Sequence, residues 1–256
     1  ARLMVFDDIT EVVSAQRSAA WTEVARRLAH EIKNPLTPIQ LSAERLSLKL
    51  MDKLQPTEQA FPQRCVKTIV DQVAAMLRLV NEFRDYARLP AAELQPVNLH
   101  ALVMDLMQLY GEETAQVPVR AKLDTDVPLI AADPQQLRQV IHNLVQNAQD
   151  ATLQQAVSVG QPPSPVEIAL QWSESSKRVR LSISDNGTGF APHILQRAFE
   201  PYVTTKVRGT GLGLAVVKKI ADEHGARIDL ANRMDNGIVQ GAQVSLSFVP
   251  ASTEAP

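Results

Sequence analysis

The chain has 256 residues, 45% of them hydrophobic, which supplies material for one or two packed cores and excludes wholesale disorder. Lys and Arg number 26 against 28 Asp and Glu, a net charge of −2, so neither nucleic acid nor an anionic membrane is expected as the main partner. The single cysteine, Cys65, excludes an internal disulfide and any multi-cysteine metal site, and fits a reducing, cytoplasmic compartment.

The chain starts at Ala1 rather than Met, without a signal peptide and without a run approaching the roughly 18–20 apolar residues of a bilayer span. It is expected to be a piece of a longer protein, with a membrane anchor only in a missing upstream segment. Residues 3–6, Leu-Met-Val-Phe, read as a short strand. Alone it would leave its backbone groups unpaired, so it is expected to close a domain cut off upstream. Residues 18–50 form the first long helix. Its apolar or small residues Trp21, Val24, Leu28, Ile32, Pro35, Ile39, Leu46 and Leu50 recur near a 3.5 spacing. Residues 52–63, with Pro56 and Pro62, read as a loop. Residues 64–88 form a second helix with Val66, Ile69, Val73, Met76, Val80 and Phe83 in heptad steps, ended by Pro90. One such hairpin has too small a core to stand alone. Two chains pairing as a four-helix bundle would cover the seam; the alternative is cover from the second domain.

After a linker at 89–95 the pattern changes to alternating helices and strands. Residues 101–114 are helical, and 119–124 and 129–132 are strands. Asp133-Pro134 opens a helix with a capping carboxylate followed by proline at the first helical position. A loop at 160–165 precedes strands at 166–172 and 179–185, a hairpin through 173–177. A helix at 214–224 ends at Gly225, strands follow at 226–231 and 242–249, and the tail from Pro250 has no assigned structure.

Three constellations carry possible chemistry. In Ala29-His-Glu-Ile-Lys-Asn-Pro-Leu36, His30 lies about 200° of helical arc from Leu28 and from Ile32 and is expected to face outward. It reads either as a solvated surface histidine or as a nucleophile, with Glu31 beside it as a base and Asn34 one turn on as a water- or phosphate-positioning group. Pro35 removes a helix hydrogen bond there and can bend the helix. On the helix capped by Asp133, Asn143, Gln146, Asn147 and Asp150 form one polar stripe opposite Leu137, Val140, Ile141, Leu144 and Ala148. The stripe reads either as a solvated face or as oxygen ligands for a hard cation such as Mg²⁺. Asp185 shares its strand face with Val179, Leu181 and Ile183, so its carboxylate needs a donor. That donor is either the exocyclic amine of an adenine or, in an Asp-Asn-Gly turn, its own backbone.

Five of the ten glycines (Gly187, Gly189, Gly209, Gly211 and Gly213) cluster here, which allows close backbone approach to a ligand. Gly213 opens a helix whose first amides can point at phosphate, and Lys206 and Arg208 supply positive charge beside it. The spacing is not a Rossmann fingerprint, not a P-loop, and carries no Ser/Thr/Tyr kinase signature. His100, His142, His193 and His224 have no metal-ligand spacing and read as structural.

Taken in order, these motifs resemble the sensor histidine kinases of two-component signalling. Ala29–Leu36 looks like their phospho-acceptor box, Asn143–Ala148 their N box, Asp185–Gly189 and Gly209–Gly213 their two glycine boxes, and Phe199–Tyr202 their F box. The run Trp21–Leu46, with Pro35-Leu-Thr-Pro-Ile39, looks most like the nitrogen-regulation sensors of the NtrY type. Val5–Thr10 is similar to the exit of a PAS sensor domain. The resemblance implies an α + α/β architecture. Residues 1–17 would end an upstream PAS-like domain and linker. Residues 18–90 would be the dimerisation and phosphotransfer hairpin, and 91–256 a Bergerat-type (GHKL) ATP-binding sandwich. It implies a homodimer that phosphorylates His30 from ATP with Glu31 as base, and passes the phosphoryl group to an aspartate of a response-regulator receiver domain. Asn34 would also orient water, giving phosphatase activity. Asn147 would hold Mg²⁺, Asp185 would meet adenine, and Asn143, Gly187, Gly189, Gly209, Gly211 and Gly213 would line the nucleotide, with a short lid between Phe199 and Gly209. It places the chain on the cytoplasmic side of a bacterial inner membrane. Family members often carry a basic residue three places after the second asparagine; here Asp150 stands there, which shifts the expected phosphate contacts to Lys206 and Arg208. A Bergerat-type ATPase that only drives conformational change would not need the acceptor box. A degenerate nucleotide-binding scaffold would not need His30, Glu31, Asn147 and Asp185 together.

Overall fold

The computed structural model describes the backbone of residues 10–51, 53–55, 58–87, 89–110, 116–206 and 209–251, and their side chains except those of 10–23, 25, 26 and 51. The strand expected at 3–6 lies outside the described residues, as do Arg208 and most of the tail. Two compact units divide at Pro90, Ala1–Pro90 and Ala91–Pro256.

The first unit is a hairpin of α1 (Thr10–Met51) and α2 (Ala60–Ala87). α1 begins eight residues earlier than expected, because no glycine or proline interrupts Thr10–Arg17. α2 begins at Ala60, which takes Pro62 into the first helical turn rather than the loop. Proline is tolerated there because the amides of the first turn have no intrahelical partner. Pro35 and Pro38 both lie inside α1, yet the helix runs through them unbroken. Lacking N–H groups, they leave the carbonyls of Glu31 and Asn34 without their usual donors four residues on.

The residues buried between the two helices are Ala29, Leu36 and Ala43 of α1 and Val66, Val73, Val80 and Ala87 of α2, in seven-residue steps on both sides. The α1 seam expected from Leu28, Ile32, Ile39 and Leu46 is not the one the hairpin buries; these four are 42–52% exposed. They form the neighbouring edge of the same apolar arc, which at about 100° per residue is too wide for one partner helix to cover. α2 repeats the arrangement, with Ile69, Met76 and Leu79 exposed beside its buried row.

The second unit starts with β1 (Gln95–Val97), which pairs antiparallel with β3 (Ile130–Ala132). Residues 89–95 read as linker, and so short a strand has no periodicity to betray it. α3 (Leu99–Tyr110) follows, its Ala101 amide donating to Asn98 Oδ1. Then come β2 (Val119–Leu123), α4 (Pro134–Val159), β4 (Val166–Ser173), β5 (Arg178–Ser184), the short α5 (Pro192–Leu195), α6 (Gly213–Glu223), β6 (Arg227–Asp235) and β7 (Ile238–Phe248). The main sheet has the order β2-β4-β5-β7-β6, with β2 and β4 parallel and every other pair antiparallel.

Alternation in these strands sends Ile168, Leu170, Leu181, Ile183, Val244 and Leu246 to one face and Ser182, Ser184, Ser245 and Ser247 to the other. A sheet with one apolar face needs one covering layer. That layer is α3, α4 and α6, with α4 in the middle: it packs on β4, β5 and β7 and against both other helices. Phe248, Leu137, Ile141 and Leu170 are fully buried at this junction. The α4 start is as expected: Asp133 is the cap, its Oδ1 accepting from the amides of Gln135 and Gln136, with Pro134 at the first helical position. Gly160 and Gly225 end α4 and α6 in left-handed conformations. β6 and β7 run further than expected, because a register shift at Arg233/Met234 carries the pairing past Gly241 to the turn at Asn236-Gly237. Among the described residues no helix is long and apolar enough to cross a membrane.

Candidate functional site

On α1, His30 is exposed and its ring makes no hydrogen bond among the described residues. It lies opposite the apolar arc, as expected from its phase. Glu31 does not meet the ring: consecutive helical residues diverge by about 100°, and Glu31 Oε1 accepts instead from Arg27 Nε at 2.8 Å. Asn34 is exposed one turn beyond His30 on the same side of the helix.

In the second unit Asn143, Asn147, Asp150, Gly187, Lys206 and Gly213 gather on one face of α4. Asn147 Oδ1 accepts from Lys206 Nζ at 2.9 Å, and Asp150 Oδ2 accepts from the same ammonium at 2.8 Å. A Cβ on Gly213 would stand 3.3 Å from Asn147 Nδ2, so the start of α6 closes directly on that side chain. α6 has no side-chain cap, and its N-terminal amides carry the positive end of the helix dipole toward this corner. One turn along α4, a Cβ on Gly187 would strike Ala151 Cβ at 2.8 Å, so the first glycine segment lies against α4 and admits no larger residue. Asn143 is half-buried on the same face, one turn before Asn147, and makes no side-chain hydrogen bond among the described residues.

Asp185 sits at the end of β5 and is 9% exposed. Its Oδ1 accepts from the amides of Gly187 at 2.8 Å and Ala242 at 3.0 Å. The local-turn reading is therefore right for one oxygen, while no donor among the described residues is bonded to Oδ2. Burial raises its carboxyl above the ordinary value, and this outweighs the opposing pull of the Gly187 and Ala242 amides and the charges of Arg233 and Lys206. Ionised, it is a buried acceptor with an oxygen to spare.

Gly211 (φ +72°) packs on the backbone of Tyr202, whose amide donates to the Gly211 carbonyl at 3.0 Å. Gly209 lies beside Thr204 and Lys206. Gly189 (φ +71°) does not join the α4 face; its neighbours are Asn232 of β6 and Val239 of β7. Arg208 lies outside the described residues.

Four residues were not singled out by sequence reasoning. Thr152 Oγ1 accepts from the Asn186 amide at 3.2 Å, and Arg233 donates to the Asp185 carbonyl at 2.8 Å. Asn232 bonds both the amide and the carbonyl of Phe190, at 2.7 and 2.8 Å. Gly241 (φ +144°) brings its backbone so close to the Asp185 carbonyl that any Cβ would overlap it. Gly241 carried a legible signal, an isolated glycine in a strand pattern. The other three act through pairings across 34 to 48 residues of chain, which no local pattern reveals.

The donor set suits a hard cation and a polyanion. Asn147 and Asp150 offer oxygens that already converge on one positive charge, and Gly187 and Gly213 let backbone close on α4 where a Cβ would crowd Ala151 or Asn147. Among the described residues no group of three or more His, Cys, Asp or Glu could hold a metal. A divalent ion here would rest on the Asn147 amide oxygen together with water and phosphate oxygens, the arrangement Mg²⁺ accepts.

Residues 20–92 match the His Kinase A (phospho-acceptor) domain, and residues 132–252 match the histidine kinase-, DNA gyrase B- and HSP90-like ATPase. A phospho-acceptor hairpin followed by an ATPase of that class is the arrangement of a sensor histidine kinase, and the chain belongs to that family. Within it, the likeness is to the NtrY type. The chain is 39% identical over 249 residues, 96% of its length, to the nitrogen regulation protein NtrY of Azorhizobium caulinodans, and covers 31% of that protein. It is 34% identical to a putative sensor histidine kinase of NtrY-like type from Rickettsia bellii, over 90% of this chain and 36% of that one. The chain thus spans about a third of these relatives. The solved structure of full-length ShkA in complex with AMPPNP matches over 91% of this chain and 47% of that one, with a TM-score of 0.62 and 27% identity.

Proposed function

We propose that this chain is the phosphotransfer and ATP-binding part of a two-component sensor kinase that phosphorylates itself on His30. On this reading residues 18–90 are the dimerisation and phosphotransfer hairpin, 91–256 the ATP-binding domain, and 1–17 the end of an upstream sensor domain and linker. The observation that carries the proposal is the meeting of Asn147, Lys206 and the start of α6 on one side of α4, with a buried Asp185 whose Oδ2 takes no donor among the described residues.

Each group has a task. Asp185 Oδ2 accepts from the adenine amine, while Oδ1 stays tied to Gly187 and Ala242. The α6 amides, Lys206 and Arg208 neutralise the phosphates, with Asn143, Gly187, Gly189, Gly209, Gly211 and Gly213 lining the nucleotide. Asn147 holds Mg²⁺, which supplies charge neutralisation on the phosphate oxygens. One imidazole nitrogen of His30 attacks the γ-phosphorus; the N–P bond forms as the bond to the ADP oxygen breaks, and the proton on the ring's other nitrogen passes to Glu31. The protein's part is positioning and charge, as in other phosphoryl transfers. Glu31 must first release Arg27, a change that costs about 1 kcal/mol or less for an exposed pair.

The phosphohistidine then donates to an aspartate of a receiver domain, and Asn34 orients water against the phosphorylated regulator. The NtrY relatives support a nitrogen-related signal and a place on the cytoplasmic side of a bacterial inner membrane. The exposed apolar edges of α1 and α2 support a homodimer, a four-helix bundle in which each hairpin covers the other's second edge. Incubation with γ-labelled ATP and Mg²⁺ tests the proposal. Acid-labile, base-stable label is expected on the chain and should vanish in His30→Gln; label that persists in that variant refutes the assignment.

A further inference from the structure

Asp150 poses an electrostatic problem. It lies one turn from Asn147 on the face of α4 where the nucleotide reading places a triphosphate, and a bare carboxylate there would repel the ligand. Its partner resolves this. Lys206 Nζ bridges Asn147 Oδ1 and Asp150 Oδ2 at 2.9 and 2.8 Å, with the lysine side chain 29% and the aspartate 56% exposed. These two bonds do not have the same fate. The Asn147 oxygen is the one needed by a divalent ion, so a cation arriving with nucleotide must displace the ammonium from it. The Asp150 oxygen is not needed. An ammonium has three N–H donors, so Lys206 can leave Asn147, keep Asp150, and turn a freed donor toward phosphate.

We propose that Asp150 is a positioning residue that tethers Lys206 at the phosphate end of the site, the ammonium passing from Asn147 to the nucleotide while Asp150 holds it. The positive charge that faces the phosphates is then carried on the segment before α6 and steered by a carboxylate on α4. The inference rests on the nucleotide-binding reading and adds a role for a residue whose own charge has the wrong sign for that ligand.

The proposal predicts a reversal of sign. With Lys206 present, the carboxylate helps binding by placing the ammonium. With Lys206 gone, the same carboxylate is an uncompensated negative charge beside a polyanion. The test is equilibrium titration of the 256-residue chain with AMPPNP and Mg²⁺, alongside thermal melting without nucleotide. Lys206→Met is expected to weaken binding about 10-fold or more, the loss of one charge-assisted contact. Asp150→Asn should weaken it by roughly 3- to 10-fold, and Asp150→Glu should recover part of the loss. The double variant D150N/K206M should bind more tightly than K206M alone. Melting of Asp150→Asn should stay near that of the unaltered chain, because an exposed pair contributes little stability.

Affinity unchanged or improved in Asp150→Asn overturns the proposal. So does a double variant no tighter than K206M, or a fall in nucleotide-free melting large enough to explain the lost affinity. If the unaltered chain fails to bind AMPPNP, the function proposed above fails and this inference with it; normal binding without the sign reversal sinks this inference alone.

Discussion

Asp185→Asn separates stability from binding at one atom. Burial lifts the Asp185 carboxyl above its unfolded value, so the native state holds that proton more tightly than the unfolded chain does. The sign follows from linkage: stability is highest below the unfolded value of about 4 and falls as pH rises through the window up to the raised native value. At neutral pH, above the unfolded value, burial of this carboxyl is thus a net burden on the fold. Asparagine removes the charge yet keeps an oxygen for the Gly187 and Ala242 amides, which Oδ1 now bonds at 2.8 and 3.0 Å. Urea unfolding at pH 7 should show the variant as stable as the parent or more so, with a flatter pH profile across that window. Nucleotide binding should move the other way. Oδ2 becomes an NH₂ group, a donor facing the adenine amine, and losing a charge-assisted hydrogen bond costs about 1.5–3 kcal/mol. That is roughly a 10- to 150-fold rise in Kd for ATP by titration calorimetry. A variant that binds ATP as tightly as the parent refutes the adenine role. One that is clearly less stable at pH 7 refutes the burial argument.

The remaining predictions concern the scaffold. Asp133→Ala removes the acceptor for the Gln135, Gln136 and Glu93 amides and should cost about 1–2 kcal/mol in urea unfolding at pH 7. Burial alone would raise the Asp133 carboxyl, but the Gln136, Glu93 and Gln135 amides and nearby His224 outweigh it and hold it below the ordinary value. Its contribution is therefore complete above about pH 4 and lost as pH falls through the lowered native value; an acid titration in which parent and variant stay equally far apart down to the lowest pH contradicts this. Phe248→Ala opens a cavity beneath the sheet and should cost about 3–5 kcal/mol, read from denaturant midpoints. Gly241→Ala forces a Cβ against the Asp185 carbonyl at φ +144° and should lower stability by about 1–3 kcal/mol; a neutral result would mean the strand shifts freely there. Leu28→Asp with Ile39→Asp places charge on the exposed edge of α1 and should convert a dimer to monomer in sedimentation equilibrium, leaving helix content by circular dichroism largely intact. Dimers that persist would move the interface elsewhere.

Much of this molecule is legible in its sequence. The Asp133-Pro134 helix start is a local device that needs only its own backbone, and it forms where the residues place it. Alternation along β5 put Val179, Leu181, Ile183 and Asp185 on one face, and all four are buried. The outward phase of His30 followed from helical geometry alone. Other features depended on distant segments. The apolar arc of α1 could be recognised in the primary structure, but which edge the hairpin buries was decided by packing, since Ala29, Leu36 and Ala43 allow α2 a closer approach than Leu28 and Ile32 would. Asp185 could be read as a turn residue or as a ligand group, and only the fold shows that one oxygen serves the turn while no donor among the described residues is bonded to the other. Glu31 stands next to His30 in the chain, yet the helix turns it toward Arg27. The pairing of Lys206 with Asn147 and Asp150 spans more than fifty residues; chain order lists such groups, and only the closure of α6 against α4 brings them to one point.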